Sequence, residues 1–445
     1  MSTTDHSATG RSASDRPASG RPVADRSAAD HSAIGRPSTD RSAADHSAIG
    51  RPSPDRSATD RSTTGRSTAD HSAADRSAAD RSAAVRAYRP ALRPGVMISP
   101  PLLRGPRTVH LIKHPVSGAA FEVGPKEHFV ISRLDGTRTF DDLVSEYAAR
   151  FRRRLPEEQW TRLLGLLGTR GLLAGSPDPA PPEPPPARTG TFWKGSRRTV
   201  ADAHATTGRL HRLLRPLLRP WVQLPLVAAV LVMTVAVLAD PAAFLDGTWA
   251  LLTRPAVLVP FAVFLWFSIC LHELAHGIAA RHYGGVVSDI GLRWRFPAVM
   301  MYCTVDNYLF LPGLRAKLVV AAAGAYVNLV LLLPFALWWA LLDPADPSRP
   351  PLTGMLFVGI VQALSNLVPL PPLDGYRMLG HALGTANLAP ETRTYLVLRR
   401  RGRDAVAAYP RRARRLYASY AVTAVALVLL AATGTCTAVV LLLLR

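Results

Sequence analysis

The stretch His272-Glu273-Leu274-Ala275-His276 lies inside an apolar run that extends from Pro255 to Ala280. Residues i and i+4 share one face of a helix, so His272 and His276 can present two imidazoles to one metal ion. Glu273 lies beside them, where a carboxylate can take a proton from water. A catalytic zinc needs three protein ligands, so a third must come from elsewhere in the chain.

The alternative is an ordinary helix with two histidines and a glutamate on its wet face. The apolar surroundings disfavour it, because ionisable side chains at membrane depth are costly and rare. Cys270, Cys303 and Cys436 are scattered without a CxxC spacing, and we interpret all three as structural. The polar N-terminus contains no secretory signal, which predicts a cytoplasmic N-terminus.

The formal net charge of +21 would fit nucleic-acid binding, but in a membrane protein it is typical of cytoplasmic loops and anionic-lipid contact. Five apolar segments are each long enough to cross a bilayer. Arginine-rich segments alternate along the chain with segments that contain few basic residues, such as 240–254 and 343–351. By the positive-inside rule, this alternation predicts that the C-terminus lies outside the cell. The five predicted spans are Trp221–Leu238, Pro255–Ile278, Ala316–Leu342, Leu352–Leu370 and Tyr417–Leu444.

The end of the predicted fourth span supplies a candidate third ligand. Three prolines between Asn366 and Asp374 should unwind this helix, and irregular backbone at membrane depth is tolerated where it lines a cavity. The second and fourth spans run in the same direction, so Asp374 reaches the depth of the two histidines, near the cytoplasmic side. A turn role for the Asp-Gly pair is the alternative. Asp306 is a second, weaker candidate ligand.

These two motifs together resemble the site-2 protease family of intramembrane zinc metalloproteases over roughly residues 210–445. The resemblance implies that His272, His276 and Asp374 hold Zn²⁺, that Glu273 is the general base, and that Asn366 is a candidate for polarising the scissile carbonyl. A family element of the intervening span occurs at 323–328 with Ala325 in place of its proline. The extended segment 288–312 would form a membrane-embedded sheet whose edge accepts substrate.

The residues before the membrane part divide into three predicted regions. A pentapeptide repeat over 1–86 is nearly devoid of large apolar residues and is predicted to be disordered. Residues 87–175 predict a small α+β winged-helix-like domain, with a hairpin of Thr108–Lys113 and Ala119–Val123 and a capping box at Thr139. A Pro-rich linker follows over 176–208, and the membrane domain covers 209–445.

The predicted soluble domain resembles the PqqD-like peptide-binding domain, which binds leader peptides of ribosomally made, modified peptides. A generic winged helix that binds DNA is the alternative, and tethering to a membrane protein favours peptide over nucleic acid. An amphipathic segment around 209–219, with leucines on one face and arginines on the other, predicts a helix at the surface of an anionic bilayer.

The expected protein is thus a mainly α, polytopic membrane metalloprotease that removes the leader from a precursor peptide. Two other functions stay open. One is regulated intramembrane proteolysis of a membrane-anchored transcription regulator, and the other is a non-catalytic receptor that docks peptides.

Overall fold

The computed structural model describes residues 83–178, 196–295 and 298–444. The predicted disorder of the pentapeptide repeat lies outside these residues, apart from positions 83–86, and so does most of the predicted Pro-rich linker. From Ser196 onward the segment predicted as linker forms a strand and the beginning of a helix.

The region predicted as a soluble domain is a small antiparallel sheet followed by three helices. Ile112 of the central strand pairs with Ile98 on one side and Phe121 on the other, which confirms the predicted hairpin. The capping box is also confirmed, because Thr139 and Asp142 exchange hydrogen bonds between side chain and backbone. The elements are β1 (Met97–Ile98), β2 (Leu102–Arg104), β3 (Arg107–Lys113), β4 (Ala120–Val123), α1 (Pro125–Ile131), α2 (Phe140–Phe151) and α3 (Glu157–Thr169).

One apolar core joins this sheet to its helices. Phe140, Leu143 and Tyr147 of α2 are buried at the i, i+3 and i+7 positions that the sequence pattern predicts. They pack in the same cluster as Trp160, which is fully buried on α3, and Ile112 of β3. The helices therefore cover one face of the sheet.

The rest of the described chain is mainly helical, with a second small sheet. It contains β5 (Ser196–Ala201), α4 (Ala203–Leu214), α5 (Pro220–Leu238), α6 (Pro241–Leu252), α7 (Pro255–His282), β6 (Val287–Arg295), β7 (Ala298–Val305), α8 (Gly313–Leu341), α9 (Arg349–Ser365), α10 (Asp374–Leu383), α11 (Leu388–Arg401) and α12 (Arg411–Leu443). Among the described residues, α5, α7, α8 and α12 are long and apolar enough to cross a membrane. These four helices indicate a membrane protein.

The predicted fourth span has no counterpart among these four helices. The apolar run Leu352–Leu370 contains α9, which ends at Ser365 after 17 residues. About 20 helical residues are needed to cross the hydrocarbon core. Most residues of α9 are buried against α5, α6 and α8, so its apolar character reflects packing inside the protein.

The segment 240–254, predicted as a short external loop, contains the helix α6. This helix packs against α9 at two glycines. A Cβ atom on Gly354 would lie 2.2 Å from the Gly247 carbonyl oxygen, so a side chain at either position would separate the helices. Small residues at such crossings let two backbones approach closely.

The extended segment predicted within 288–312 is confirmed as the hairpin of β6 and β7, with β5 on the other edge of β6. The hairpin packs along α7. The Trp266 indole donates a hydrogen bond of 2.6 Å to the Val299 carbonyl, and a Cβ on Gly277 would lie 2.6 Å from the Cys303 sulfur. Strand β7 therefore runs beside the turns of α7 that carry His272.

The predicted amphipathic helix is present but shorter than its pattern suggests. Helix α4 ends at Leu214, before Pro216, and a series of turns leads to α5. Leu213 and Leu217 remain exposed. Leu210, Leu214 and Leu218 are half-buried, so among the described residues the leucine face is covered only in part.

The small domain is bound to the membrane part by backbone and side-chain contacts. Leu103 of β2 exchanges backbone hydrogen bonds with Gly384 and Ala386, just beyond α10. The Lys113 ammonium donates to the Asp306 carbonyl at 2.9 Å. Burial lowers the pKa of Lys113, which the nearby Asp306 charge partly offsets.

Candidate metal centre

Helix α7 places the two histidines of the motif one turn apart and on its buried side. His272 and His276 are each 6% exposed, and their rings lie 4.8 Å apart at nearly right angles. The His276 Nδ1 atom bonds to the Val320 carbonyl oxygen at 2.7 Å. A carbonyl can only accept, so Nδ1 carries the proton and Nε2 presents its lone pair.

The predicted proline-rich interruption brings Asp374 to these rings. Helix α9 ends at Ser365, residues 366–373 are non-helical, and α10 begins at Asp374, which confirms the predicted unwinding. The Gly375 amide donates to the Asn366 carbonyl at 2.8 Å. A Cβ on Gly375 would lie 1.9 Å from the Leu367 carbonyl oxygen, so this tight fold of the chain requires glycine.

Three potential ligand atoms form a compact triangle. His272 Nε2 lies 2.9 Å from Asp374 Oδ2, His276 Nε2 lies 3.2 Å from the same oxygen, and the two Nε2 atoms are 3.2 Å apart. Ligands of a tetrahedral zinc with bonds of about 2.0–2.1 Å lie about 3.3 Å from one another. Two imidazoles and a carboxylate are also a donor set that zinc accepts, so these residues fit the ion.

The aspartate is enclosed by the two imidazoles. Asp374 is 6% exposed, and its Oδ2 atom lies within hydrogen-bond distance of both Nε2 atoms. A carboxylate at this position would complement the charge of a cation. Among the described residues, these three are the one group of at least three His, Cys, Asp or Glu side chains that could hold a metal ion.

One face of α8 supports the two histidines at four-residue intervals. Val320 provides the carbonyl for His276, and the Asn328 side-chain amide lies 3.1 Å from His272 Nδ1. Between them, a Cβ on Gly324 would lie 2.4 Å from His272 Nε2. The Ser268 hydroxyl donates to Asn328 Oδ1 at 2.9 Å, and both residues are 2% exposed.

These supporting residues were not predicted as part of the site. Gly324 and Asn328 belong to the family-like element at 323–328, but no role was derived for them from the residues. Val320, Gly324 and Asn328 are spaced four residues apart and so share one face of α8. This spacing indicates a role at the site only when α8 is known to face α7.

Two other predicted candidates lie apart from the triangle. The Asp306 side chain is exposed and accepts a hydrogen bond from the Ser288 hydroxyl at 2.8 Å. The Asn366 amide donates to the Gln362 carbonyl at 3.1 Å, in its own helix. The structure brings neither side chain into the His–His–Asp group.

Glu273 is half-buried on the same helical turn as the histidines. Its carboxylate contributes, after burial, to raising the pKa of the neighbouring Cys303 thiol to about 12. A thiol with such a pKa stays protonated, which fits the predicted structural role of Cys303.

Comparison of the chain with protein-family models, curated proteins and solved structures found no match. The chemistry of the site is therefore inferred from its own residues.

Proposed function

We propose that this protein is a membrane-embedded zinc metalloendopeptidase of the site-2 protease type. The observation that supports it most directly is the buried triangle of His272, His276 and Asp374, with Glu273 on the same turn of α7. Zinc bound by these three residues would act as a Lewis acid that polarises a carbonyl and lowers the pKa of water toward neutrality. Glu273 would accept the proton of the attacking water and return it to the leaving amine.

The hairpin beside α7 offers a route for an extended substrate. Within the described residues, β7 pairs with no strand other than β6, although the Val299 carbonyl already bonds to Trp266 of α7. A peptide strand would add at the backbone groups of this edge that α7 does not bond. The contacts of β7 at Trp266 and Gly277 bracket Glu273 along α7. A peptide added at this edge would therefore lie alongside the metal ligands.

The small domain supports a leader-bearing precursor peptide as the substrate. Strand β4 pairs only with β3 among the described residues, which leaves an edge of the kind that captures peptides. Ala120 of β4 pairs with Lys113, and Lys113 contacts Asp306 directly after β7. A leader held on β4 would thus be tethered close to the hairpin.

We place the protein in the cell membrane as a multi-pass protein, with its N-terminus and active-site opening on the cytoplasmic side. The arginines of α4 and those from Arg281 onward flank α5 and α7 at one membrane face, as the positive-inside rule requires. The metal ligands on α7 lie close to this end, because His276 is six residues before the helix ends at His282.

Replacement of Glu273 by Gln tests the proposal. The amide cannot serve as a proton acceptor, but the three ligands are unchanged, so we expect full zinc content and loss of cleavage by at least about 10²-fold. Purified protein would be assayed for zinc by mass spectrometry and for cleavage of a precursor peptide, with Glu391→Gln as a control outside the site. Cleavage by Glu273→Gln at the normal rate would refute the mechanism.

A further inference from the structure

A basic pocket lies between α4 and the C-terminal end of α7, apart from the metal centre. It encloses about 550 Å³, and its charged lining comprises Arg209 and Arg212 of α4 and Arg281 of α7, with His204 and His211 between them. No carboxylate lines it, and no described residue forms an ion pair with any of the three arginines. Three arginines thus line one pocket without an ion pair to any carboxylate of the described residues.

The protein orients part of this pocket in advance. Arg281 Nη1 bonds to the His204 ring nitrogen and to the Gly285 carbonyl oxygen, both at 3.3 Å. His211 contacts His282 through ring nitrogens 3.3 Å apart. Burial, and after it the charges of His282, Arg215 and Arg281, lowers the pKa of His211.

The position of the pocket favours a lipid head group as the anion. Five residues separate the end of α4 from the start of α5, and Arg281 is the penultimate residue of α7, so both walls adjoin ends of candidate membrane-spanning helices. Leu213 and Trp221 nearby are 73% and 66% exposed, which suits contact with acyl chains. Arginine binds phosphate through paired N–H donors, and basic pockets between spanning helices bind lipid head groups.

We infer that this pocket binds the phosphate head group of an anionic phospholipid and clamps α4 to α7. The two helices already meet next to the metal centre. Thr207 is fully buried, and its methyl carbon would lie 3.1 Å from a Cβ on Gly277, the residue after His276. A bound head group would add a second connection, through Arg281, to the helix that carries two of the candidate ligands.

Native mass spectrometry of the full chain with short-chain phosphatidylglycerol, phosphatidylcholine or inorganic phosphate tests this inference. We expect selective binding of phosphatidylglycerol. Replacing Arg209, Arg212 and Arg281 together by Gln should weaken it by about 100-fold, since each basic residue contributes a factor of about five near an anionic lipid. Replacing Arg399, Arg400 and Arg401 by Gln removes the same charge elsewhere and should change binding less than about twofold.

If both triple variants lost the same amount of affinity for phosphatidylglycerol, binding would depend on general charge attraction, which would overturn the inference. Equal binding of the two lipids would do the same, and inorganic phosphate that binds as tightly as the lipid would identify a free anion as the ligand. If the triple variant fails to fold, Arg209→Gln with Arg212→Gln provides the test, because neither side chain bonds to a described residue. This double variant should bind phosphatidylglycerol about 30-fold more weakly, and unchanged binding would refute the proposed lipid site.

Discussion

Replacement of Gly324 by Ala probes how tightly α8 packs against the candidate metal centre. The added methyl would lie 2.4 Å from His272 Nε2 and 2.5 Å from two ring carbons. Ordinary van der Waals contact begins at 3.4 Å, so the His272 ring must move by about 1.0 Å to accommodate the methyl group. The ring has little room to move, because its other contacts are Asp374 Oδ2 at 2.9 Å and the Asn328 amide at 3.1 Å.

Such a shift exceeds what a metal site accepts, since ligand distances are held within about 0.2 Å. Overpacking of this kind costs about 1–3 kcal/mol of stability, and a displacement of about 1 Å can lower a catalysed rate about 100-fold. We therefore expect Gly324→Ala to fold but to lose most of its zinc and at least about 100-fold of its cleavage rate. Zinc per protein, thermal stability and peptide cleavage would be measured on the same preparation.

Gly434→Ala is the matched control, because Gly434 also lies in a candidate spanning helix and its Cβ would meet nothing within 4 Å. This control should keep its zinc and its activity. If Gly324→Ala retains one zinc and cleaves within about twofold of the unchanged protein, the inferred contact between α8 and His272 is refuted.

Two further predictions concern Asn328 and a histidine pair in the small domain. Metal binding by His272 Nε2 requires a proton on Nδ1, which a carboxylate introduced at position 328 can accept but a leucine cannot. We therefore expect Asn328→Leu to lose about 10- to 100-fold in zinc affinity and Asn328→Asp to lose less, as measured by chelator competition. Equal losses would refute this positioning role. Burial, then the stacked His110 ring and the charge of Arg133, lower the pKa of His128 below 6.5. The unfolded chain then binds the proton more readily, so stability is full above about pH 6.5 and falls as the pH drops below it. Hydrogen exchange of α1 and β3 should report this loss, and His128→Asn should remove part of it; an unchanged pH dependence in the variant would contradict the assignment.

Several features of the fold could be predicted from the sequence because they depend only on residues that are close together in the chain. The histidine spacing on α7, the proline-rich end of α9 and the capping box at Thr139 each depend on residues within about one or two helical turns. The same holds for the hairpin of β3 and β4, whose strands are joined by a short turn. The metal-ligand roles themselves stay predictions.

The features that were missed depend on contacts between distant segments. Hydropathy alone could not separate α9, which is shielded by other helices, from a lipid-facing span. It also could not identify α6 as a helix, because the crossing of Gly247 with Gly354 joins residues over 100 positions apart in the chain. Strand β5 likewise exists through its pairing with β6, far along the sequence.

Helix α10 connects the candidate metal centre to the small domain. It begins at Asp374, and about 15 Å further on its end is followed by Gly384 and Ala386, which share backbone hydrogen bonds with Leu103. The two histidines are carried by α7, whereas the aspartate is carried by a helix fastened to the domain that precedes the membrane part. A force on that domain would therefore be transmitted along α10 to the carboxylate.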